Sequence, residues 1–317
     1  MNEVSEERAS LHLEHAVAAD LIAVLVAVTE SEPRVMTVRD GNALPSGPFE
    51  PGHRSLQSGL RAWVEQQTRH PLGYVEQLYT FADRDRTGEH PAQHVISISY
   101  LGLTREVSTP GAVEPGWRSW YEYFPWEDHR AGVPLLIAKV LVPALHAWVK
   151  KAADTGARSA RQQRVAISFG LDEYSWNEEL VLQRYELLYE AALVPEALRN
   201  HAAASTIPGQ SMSGDHRRIL ATGIARLRAK IKYRPVVFEL MPPRFTLLQL
   251  QRTVEALAGR LVHKQNFRRL IEQQELVEEA GGEMRDSVGR PAKLFRFRHA
   301  VLAERAAAGT KLPLVRS

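Results

Sequence analysis

The sequence predicts an α+β chain, an α/β/α sandwich with a helical insertion followed by a helix-turn-helix module with a two-stranded wing. Two observations support this prediction. Residues 213–317 hold 21 Lys and Arg and 10 Asp and Glu, a sum of +11, whereas residues 1–212 hold 19 and 27, a sum of −8. The basic part also repeats apolar residues at helical spacing between Gly and Pro, so it is expected to fold. A basic module beside an acidic body indicates a protein that binds a polyanion.

Composition limits the class of protein. The chain has 317 residues, 44% hydrophobic and 24% charged, which suits two domains of ordinary globular composition. The chain has no cysteine, which excludes disulfides and cysteine-ligated zinc. The longest apolar run, Leu21–Val28, is too short to span a bilayer, and the acidic first residues do not resemble a signal peptide. We therefore expect a cytoplasmic protein without a membrane partner, and we take its source to be bacterial.

The body begins with two strand candidates, Leu21–Val28 and Pro33–Arg39. Turn residues follow, and apolar spacing then indicates a helix at about residues 54–68. The next strand candidates are Tyr74–Phe81 and His94–Leu103. Two strands, a loop, a helix and two more strands form an order that suits a sheet covered by helices.

Residues 131–212 are predicted to be a mainly helical insertion. Pro134–Lys151 and Glu178–Leu193 have helical spacing, and Val165–Phe169 between them is predicted to be a strand. Three roles stay open for this insertion: a dimer interface, a cover over a ligand pocket, or a thicker core. Residues 213–232 are expected to form a helix that links the insertion to the carboxy-terminal module.

The carboxy-terminal module, residues 233–300, starts with the strand-like segment Pro235–Leu240. Thr246 and Gln249 have the spacing of a capping box at the start of a helix, and Gly259 is placed to end that helix. Residues beyond this module, 301–317, are expected to be a tail.

A second helix of the module is predicted from about Lys264, and two strands, Val277–Glu279 and Leu294–Phe297, follow as a wing. Its apolar face is expected to consist of Phe267, Leu270 and Ile271. This is the winged helix-turn-helix plan, in which the second helix enters the major groove of DNA. The predicted DNA contacts are Thr246, Lys264, Gln265, Asn266, Arg268, Arg269, Arg290 and Lys293. The alternatives are solvated charges on an ordinary helix, or a winged helix that contacts protein; RNA is less favoured because no aromatic stacking platform accompanies the basic helix.

Residues 47–68 resemble a Nudix box, in which one glycine and several glutamates recur at fixed spacing around an arginine. Gly47 fits the glycine, and Arg61 and Glu65 keep the arginine and one acid. The positions of the other three box acids are occupied by His53, Ala62 and Gln66. Pyrophosphate hydrolysis needs Mg²⁺ held by carboxylates, so the resemblance predicts a Nudix-like domain with no catalytic residue and no metal site.

Guanidinium groups match the oxygens of a diphosphate, so arginines of the Nudix-like domain are candidates for holding one. The predicted ligand contacts of this domain are Arg39, Arg61, Glu65 and Arg105. For the box arginine, a structural role is the alternative. If the protein were instead a hydrolase with an accessory basic domain, its replacement acids would be Glu50, Glu65 and Glu76. The aromatic cluster at residues 117–126 is expected to be core or interface packing, with adenine stacking as the alternative.

Tyr233–Phe297 resembles the Nudix-related transcriptional regulators of NAD metabolism, the NrtR group, and most of all its alphaproteobacterial NadQ-like branch. The motifs that carry the resemblance are Asn-Phe-Arg-Arg at 266–269 and Gly-Arg-Pro-Ala at 289–292. The resemblance implies a homodimeric repressor of NAD-synthesis genes that binds a palindromic operator. It also implies that residues 1–232 sense a nucleotide effector, NAD, ADP-ribose or ATP, and that no cofactor is required.

Overall fold

A computed structural model describes residues 17–70, 72–83, 94–106, 116–198, 207–284 and 291–301. Within these ranges, the body is built around a mixed sheet of six strands. The strands are β1 (Val17–Thr29), β2 (Glu32–Thr37), β3 (Ser46–Pro48), β4 (Tyr74–Phe81), β5 (His94–Leu103) and β6 (Gly116–Ser119). Their order is β4-β5-β1-β2-β6, and β3 pairs with β1. β1 and β5 run parallel, whereas β1–β2, β1–β3, β2–β6 and β4–β5 are antiparallel.

The helices of the described ranges are α1 (Leu56–Thr68), α2 (Trp120–Tyr123), a π-helical turn (Ile137–Leu141) that continues into α3 (Val142–Lys150), α4 (Thr155–Phe169), α5 (Val181–Glu190), α6 (His216–Lys230), α7 (Leu247–Ala258) and α8 (Lys264–Gln273). Helix α1 covers one face of the sheet, and other helices of the body cover the opposite face. Short 3₁₀ segments lie at Pro195–Leu198 and Val236–Leu240. None of the described helices is both long and apolar enough to cross a lipid bilayer.

β1 is the central strand and is buried on both faces. Its residues Leu21, Ala23 and Leu25 pack in one cluster with Leu60 and Val64 of α1. The alternate residues belong to the larger core on the other face: Ile22, Val24 and Val26. Successive strand residues point to opposite faces. Because both faces of β1 are buried, its sequence is an unbroken apolar run.

The linking helix α6 and the insertion form the second helical layer. Gly223 of α6 lies directly on β1, since a Cβ at this position would be 2.8 Å from Cγ1 of Val24. The insertion helices α3, α4 and α5 contribute Leu145, Val165 and Leu188 to the same core. Of the three roles left open for the insertion, these contacts support a thicker core.

The predicted strand Val165–Phe169 is instead the end of helix α4. Asp154 caps the start of this helix with its side chain, and Gly170 ends it in the left-handed conformation with a φ of 63°. Between these caps the buried residues recur at helical spacing. The strand prediction was wrong because a five-residue apolar run fits a strand and a helix equally well.

The strand-like segment Pro235–Leu240 forms a 3₁₀ helix at Val236–Leu240. The carbonyl of Pro235 accepts a hydrogen bond from the N–H of Phe238 at 3.3 Å. Three of its residues are buried in the core: Val236, Val237 and Leu240. Here too the short apolar run did not decide between strand and helix.

The carboxy-terminal module is a helix-turn-helix followed by a wing. Thr246 and Gln249 form the predicted capping box at the start of α7, and Gly259 ends this helix with a φ of 71°. The wing consists of β7 (Val277–Met284) and β8 (Ala292–Phe297), which pair antiparallel. The winged helix plan predicted from the element order is thus present.

Candidate nucleic-acid interface and effector domain

Helix α8 presents a polar face to solvent. Phe267 and Ile271, which are 9% and 7% exposed, fix the inner side of the helix. The outer side consists of exposed residues: Lys264, Gln265, Asn266, Arg268 and Arg269. Within the described part of the chain, none of these five side chains has a hydrogen-bond or ion-pair partner. Their donors are therefore available to the phosphates and base edges of a nucleic acid.

The wing carries charges that are already paired. Nζ of Lys293 lies 2.6 Å from Glu279, and Nε of Arg296 lies 2.7 Å from Glu278, across the two strands. These side chains are between 43% and 65% exposed, so water and salt weaken both pairs and a phosphate can replace the carboxylate. Arg290, also predicted to contact DNA, lies outside the described residues.

Two residues of the module do not occupy the positions expected for them. Thr246, a predicted DNA contact, is 3% exposed, and its Oγ1 accepts a hydrogen bond from the N–H of Gln249 at 3.2 Å. Its hydroxyl therefore caps α7 instead of reaching the surface. Leu270, predicted to face inward, is 51% exposed. Phe267 and Ile271 define a narrow inner stripe, and Leu270 falls at its edge.

A buried ion network, which sequence reasoning missed, joins the module to the body. Glu127 accepts hydrogen bonds from Nε of Arg184 at 2.6 Å and from Nη1 of Arg228 at 2.5 Å. All three side chains are fully buried. Burial opposes the ionisation of Glu127, but the two guanidinium groups outweigh it and lower the pKa of this carboxyl. Arg228 of α6 also donates from Nε to the carbonyl of Leu257 at 2.9 Å, so one side chain contacts both the body and α7.

Two further hydrogen bonds hold the end of α7 against the body. The hydroxyl of Tyr121 donates to the carbonyl of Ala256 at 2.7 Å, and the N–H of His129 donates to the carbonyl of Gly259 at 2.7 Å. A Cβ at Gly259 would overlap the carbonyl oxygen of Glu127. The two parts thus approach too closely for a larger residue, and this contact sets where α7 and α8 lie relative to the sheet.

The loop and helix of the degenerate box keep a compact geometry without the missing acids. Gly47 lies against Trp63 so closely that a Cβ would overlap the indole ring. Nε1 of Trp63 donates to the carbonyl of Pro48 at 2.9 Å. His53, at the place of the first box acid, accepts a hydrogen bond at Nδ1 from the N–H of Glu50 at 3.0 Å.

Arg61, a predicted effector contact, has a structural role in α1. Its guanidinium group donates to the carbonyls of Leu72 and Gly73, the latter at 3.2 Å, and so ties the helix to the start of β4. This is the alternative that the sequence left open for the box arginine. Glu65, one turn further along α1, is exposed.

Arg39 and Arg105, the other predicted effector contacts, lie near opposite ends of the sheet. Val26 of β1 pairs with Leu103 of the parallel strand β5 and with Val35 of the antiparallel strand β2. In this register Arg105 is level with residue 28 of β1, beyond Val26, whereas Arg39 is level with residue 22, before it. They are separated by about six residue positions along β1, roughly 20 Å. One diphosphate does not bridge both, so the four predicted contacts do not form one site.

The replacement acids of the hydrolase alternative are also dispersed. Glu76 is bound by Lys230 of α6 and by the hydroxyl of Tyr74 at 2.7 Å. Burial opposes the ionisation of Glu76, but these hydrogen bonds outweigh it and lower its pKa. Glu50 and Glu65 are exposed on the box loop and on α1. No group of three or more His, Asp or Glu side chains that could hold a metal ion occurs in the ranges that the structure describes.

The aromatic cluster that follows β6 belongs to the core. Four of its residues are fully buried: Trp120, Tyr123, Phe124 and Trp126. Trp120 packs edge-on against Tyr121, and Phe124 packs edge-on against Trp126 and against Tyr185 of α5. The core prediction is confirmed for these residues, and they are not available to stack a base.

Comparison with known proteins identifies the carboxy-terminal module. Residues 237–297 match the family of the NrtR DNA-binding winged helix domain. The ADPR responsive transcriptional repressor NtrR of Acinetobacter baylyi is 39% identical over 83 residues, which is 26% of this chain and 33% of that protein. The match thus spans about a third of the length of this curated relative.

Two solved structures of Shewanella oneidensis NrtR resemble the chain over most of its length. The protein alone gives a TM-score of 0.52 at 18% identity and covers 88% of this chain and 94% of its own. Its complex with a 27mer DNA gives a TM-score of 0.50 at 18% identity and covers 90% and 95%. At this identity the likeness concerns the fold. The chain therefore has a Nudix-like fold followed by a winged helix domain of the NrtR type.

Proposed function

We propose that this protein is a transcriptional regulator that binds duplex DNA through its winged helix domain and a nucleotide effector through its Nudix-like domain. The main support for this proposal is the exposed face of helix α8. Its residues Lys264, Arg268 and Arg269 point to solvent and have no partner among the described residues. A helix fits the major groove, where arginine reads guanine and an asparagine such as Asn266 pairs with adenine. The family match over residues 237–297 supports the same role.

Repression in response to ADP-ribose is the mode of regulation that we propose first. It is supported by the A. baylyi relative, whose name describes an ADPR responsive transcriptional repressor. NAD and ATP are the further candidate effectors, and NAD takes first place if the chain belongs to the NadQ-like branch. We further propose a cytoplasmic homodimer that binds a palindromic operator of NAD-synthesis genes, since the symmetry of a dimer is mirrored in its half-sites.

The DNA-binding role is tested by fluorescence anisotropy on labelled duplexes from the upstream regions of NAD-synthesis genes. We expect Arg268→Ala or Arg269→Ala to weaken binding by about 1–3 kcal/mol, roughly 5- to 150-fold, at a base-reading position. Arg54→Ala, which changes an exposed arginine of the body, is the matched control and should leave the affinity unchanged. If both α8 variants bind like the wild type, the assignment of this helix fails.

The effector role is tested by calorimetric titration with ADP-ribose, NAD and ATP, each followed by a DNA titration in the presence of the nucleotide. A ligand shifts DNA affinity only if it binds the two states of the protein differently. We expect at least one of the three to bind and to change the DNA affinity. If none binds, the effector half of the proposal is wrong while the DNA-binding half stands.

A nucleoside-diphosphate hydrolase is the second candidate function, because the body has the Nudix-like fold. It is less supported, since Lys230 engages Glu76 and the remaining replacement acids lie exposed on other elements. Incubation with Mg²⁺ and ADP-ribose or NAD, with products separated by chromatography, decides between the two. Turnover at about 1 s⁻¹ or faster would establish the enzyme.

A further inference from the structure

A cavity of about 580 Å³ lies between the end of α6, the 3₁₀ segment Val236–Leu240 and the two helices of the helix-turn-helix. Its volume falls in the range of small-molecule sites, about 300–1,000 Å³. Its walls are mainly apolar and include Ile231, Val237, Phe238, Val254, Leu270 and Leu276. All four predicted effector contacts lie elsewhere, on the body, so this cavity is a separate site.

Cations outnumber carboxylates around this apolar space. Lys232, Arg234 and Arg260 line the cavity together with Glu178. Lys232 lies 2.9 Å from Glu178 and 2.6 Å from Glu179, and Arg260 lies 3.4 Å from Glu178. Arg234 is exposed and has no ion-pair partner among the described residues. Arg228 also lines the cavity, but it is paired with the buried Glu127. The other three cations face two carboxylates, and one positive charge is left for a ligand.

Three large side chains at the cavity leave much of their apolar surface open to water: Tyr233, Leu261 and Leu270 are 62%, 64% and 51% exposed. Burying such surface stabilises a complex by about 25 cal/mol per Å². An apolar wall beside an unpaired guanidinium suits a ligand that has an apolar body and one acidic group, because each part meets a complementary surface.

We propose that this cavity binds an amphipathic organic anion, with its apolar or aromatic body between α6 and α7 and its acidic group at Arg234. Asn266 and Leu270 of α8 line the same cavity, so the occupant contacts the helix that is proposed to read DNA. The ligand changes DNA affinity if it binds the free and the DNA-bound protein with different affinity. This consequence rests on the proposed function, whereas the site itself does not.

The test uses the full chain and the fluorescent probe 8-anilinonaphthalene-1-sulfonate, which joins an aromatic body to a single sulfonate. We expect saturable binding to a single site per chain. The uncharged analogue N-phenyl-1-naphthylamine should bind about tenfold more weakly, because it lacks the charge-assisted hydrogen bond to Arg234. Equal affinities of the two probes, or no binding of the sulfonate, would overturn the proposal.

Two variants locate the probe. Val254→Trp fills the cavity and Arg234→Glu reverses the charge at its rim; each should weaken sulfonate binding by at least about tenfold. Arg252→Glu, the same charge change at an exposed position of α7 that does not line the cavity, should bind like the wild type. Circular dichroism reports whether the filled variant folds, and Arg234→Glu remains decisive if it does not, since Arg234 is exposed.

A second copy of this chain is the competing occupant of the cavity. In that case probe affinity would fall as the protein concentration rises and self-association increases, as measured by sedimentation, and this outcome overturns the small-ligand proposal. Binding of the probe unchanged in both Val254→Trp and Arg234→Glu overturns it as well. None of these measurements involves DNA, so their failure leaves the proposed DNA binding intact, and a failure to bind DNA leaves this site intact.

Discussion

Arginine side chains are buried and paired at the junction of the two domains, whereas on helix α8 they are exposed and unpaired among the described residues. At the junction, Arg184 and Arg228 are fully buried and both donate to Glu127. On α8, Arg268 and Arg269 are exposed and have no partner among the described residues. The same side chain thus organises the fold where its donors are satisfied, and is available for recognition where they are not.

Buried and exposed arginines also differ in what they contribute to the free energies of folding and binding. A buried ion pair loses most of its attraction to desolvation, so its net contribution to stability is small while its removal is costly. It therefore fixes geometry: Arg228 connects the body to the carbonyl of Leu257 and so sets the position of the helix-turn-helix. An exposed cation has no such penalty and gains energy when it displaces counterions from a phosphate.

The largest expected effect is that of Glu127→Gln. This change leaves Arg184 and Arg228 buried without a counter-charge, and we expect the free energy of unfolding to fall by about 3–5 kcal/mol. Urea denaturation measures it. The matched control is Glu190→Gln, in an ion pair with Arg164 that is 45–49% exposed, and should change stability by less than about 0.5 kcal/mol. Similar losses for the two variants would remove the distinction between buried and exposed pairs.

The stability difference between the wild type and this variant should also depend on pH. The folded-state pKa of Glu127 lies below its ordinary value of 4.5. The stability that its carboxylate contributes is therefore fully present above that value and is lost as the pH falls through the folded pKa. The gap in unfolding free energy between wild type and Glu127→Gln should stay constant above about pH 6 and shrink below pH 4.5. A gap that is constant into the acid range would mean that the pair acts by packing alone.

For α8, salt dependence separates phosphate contacts from base contacts. Arg268→Ala or Arg269→Ala should leave the free energy of unfolding within about 0.5 kcal/mol of the wild type. The variant that removes a phosphate contact should also reduce the slope of log affinity against log salt by about 1, whereas a lost base contact relaxes sequence preference. Titrations at several salt concentrations measure both. A large loss of stability in either variant would show that α8 is not a free recognition surface.

Local patterns were sufficient for much of the fold. The capping box at Thr246 and the left-handed Gly259 follow from residue type and spacing alone, and both occur. The run Leu21–Val28 is a central strand because its alternate residues face two apolar layers. The two failures, Val165–Phe169 and Pro235–Leu240, are short apolar runs whose periodicity is ambiguous.

The site was harder to predict, because it depends on contacts between distant parts of the chain. Nothing near Arg61 in sequence shows that the carbonyls of residues 72 and 73 occupy its guanidinium group. The role of Arg228 had a weak signal: it follows Leu227 and lies four residues after Ile224, both fully buried, which places it on the inner face of its helix. A charged residue at such a position predicts a buried partner, but only the fold shows that the partner is Glu127.

A smaller effect is expected from Thr246→Ala. The hydroxyl caps α7, so its loss should reduce the free energy of unfolding by about 1 kcal/mol. DNA affinity should not change, since the side chain is buried. Denaturation and anisotropy on the same samples measure the two quantities. A loss of DNA affinity without a loss of stability would return Thr246 to the DNA-binding surface and would weaken the contrast between buried and exposed polar groups.

The smallest effects are expected in the wing, whose charges are exposed like those of α8 but paired like those at the junction. Lys293 is exposed but already paired with Glu279. Lys293→Ala should change stability by less than about 0.5 kcal/mol, yet lower the salt slope of DNA binding by about 1 if the wing contacts the backbone. Glu279→Gln should act in the opposite direction, because it frees the same ammonium group for a phosphate, with Glu190→Gln as the control for loss of one negative charge. If Lys293→Ala and Glu279→Gln both bind DNA like the wild type, the wing does not approach the duplex, and recognition is confined to α8.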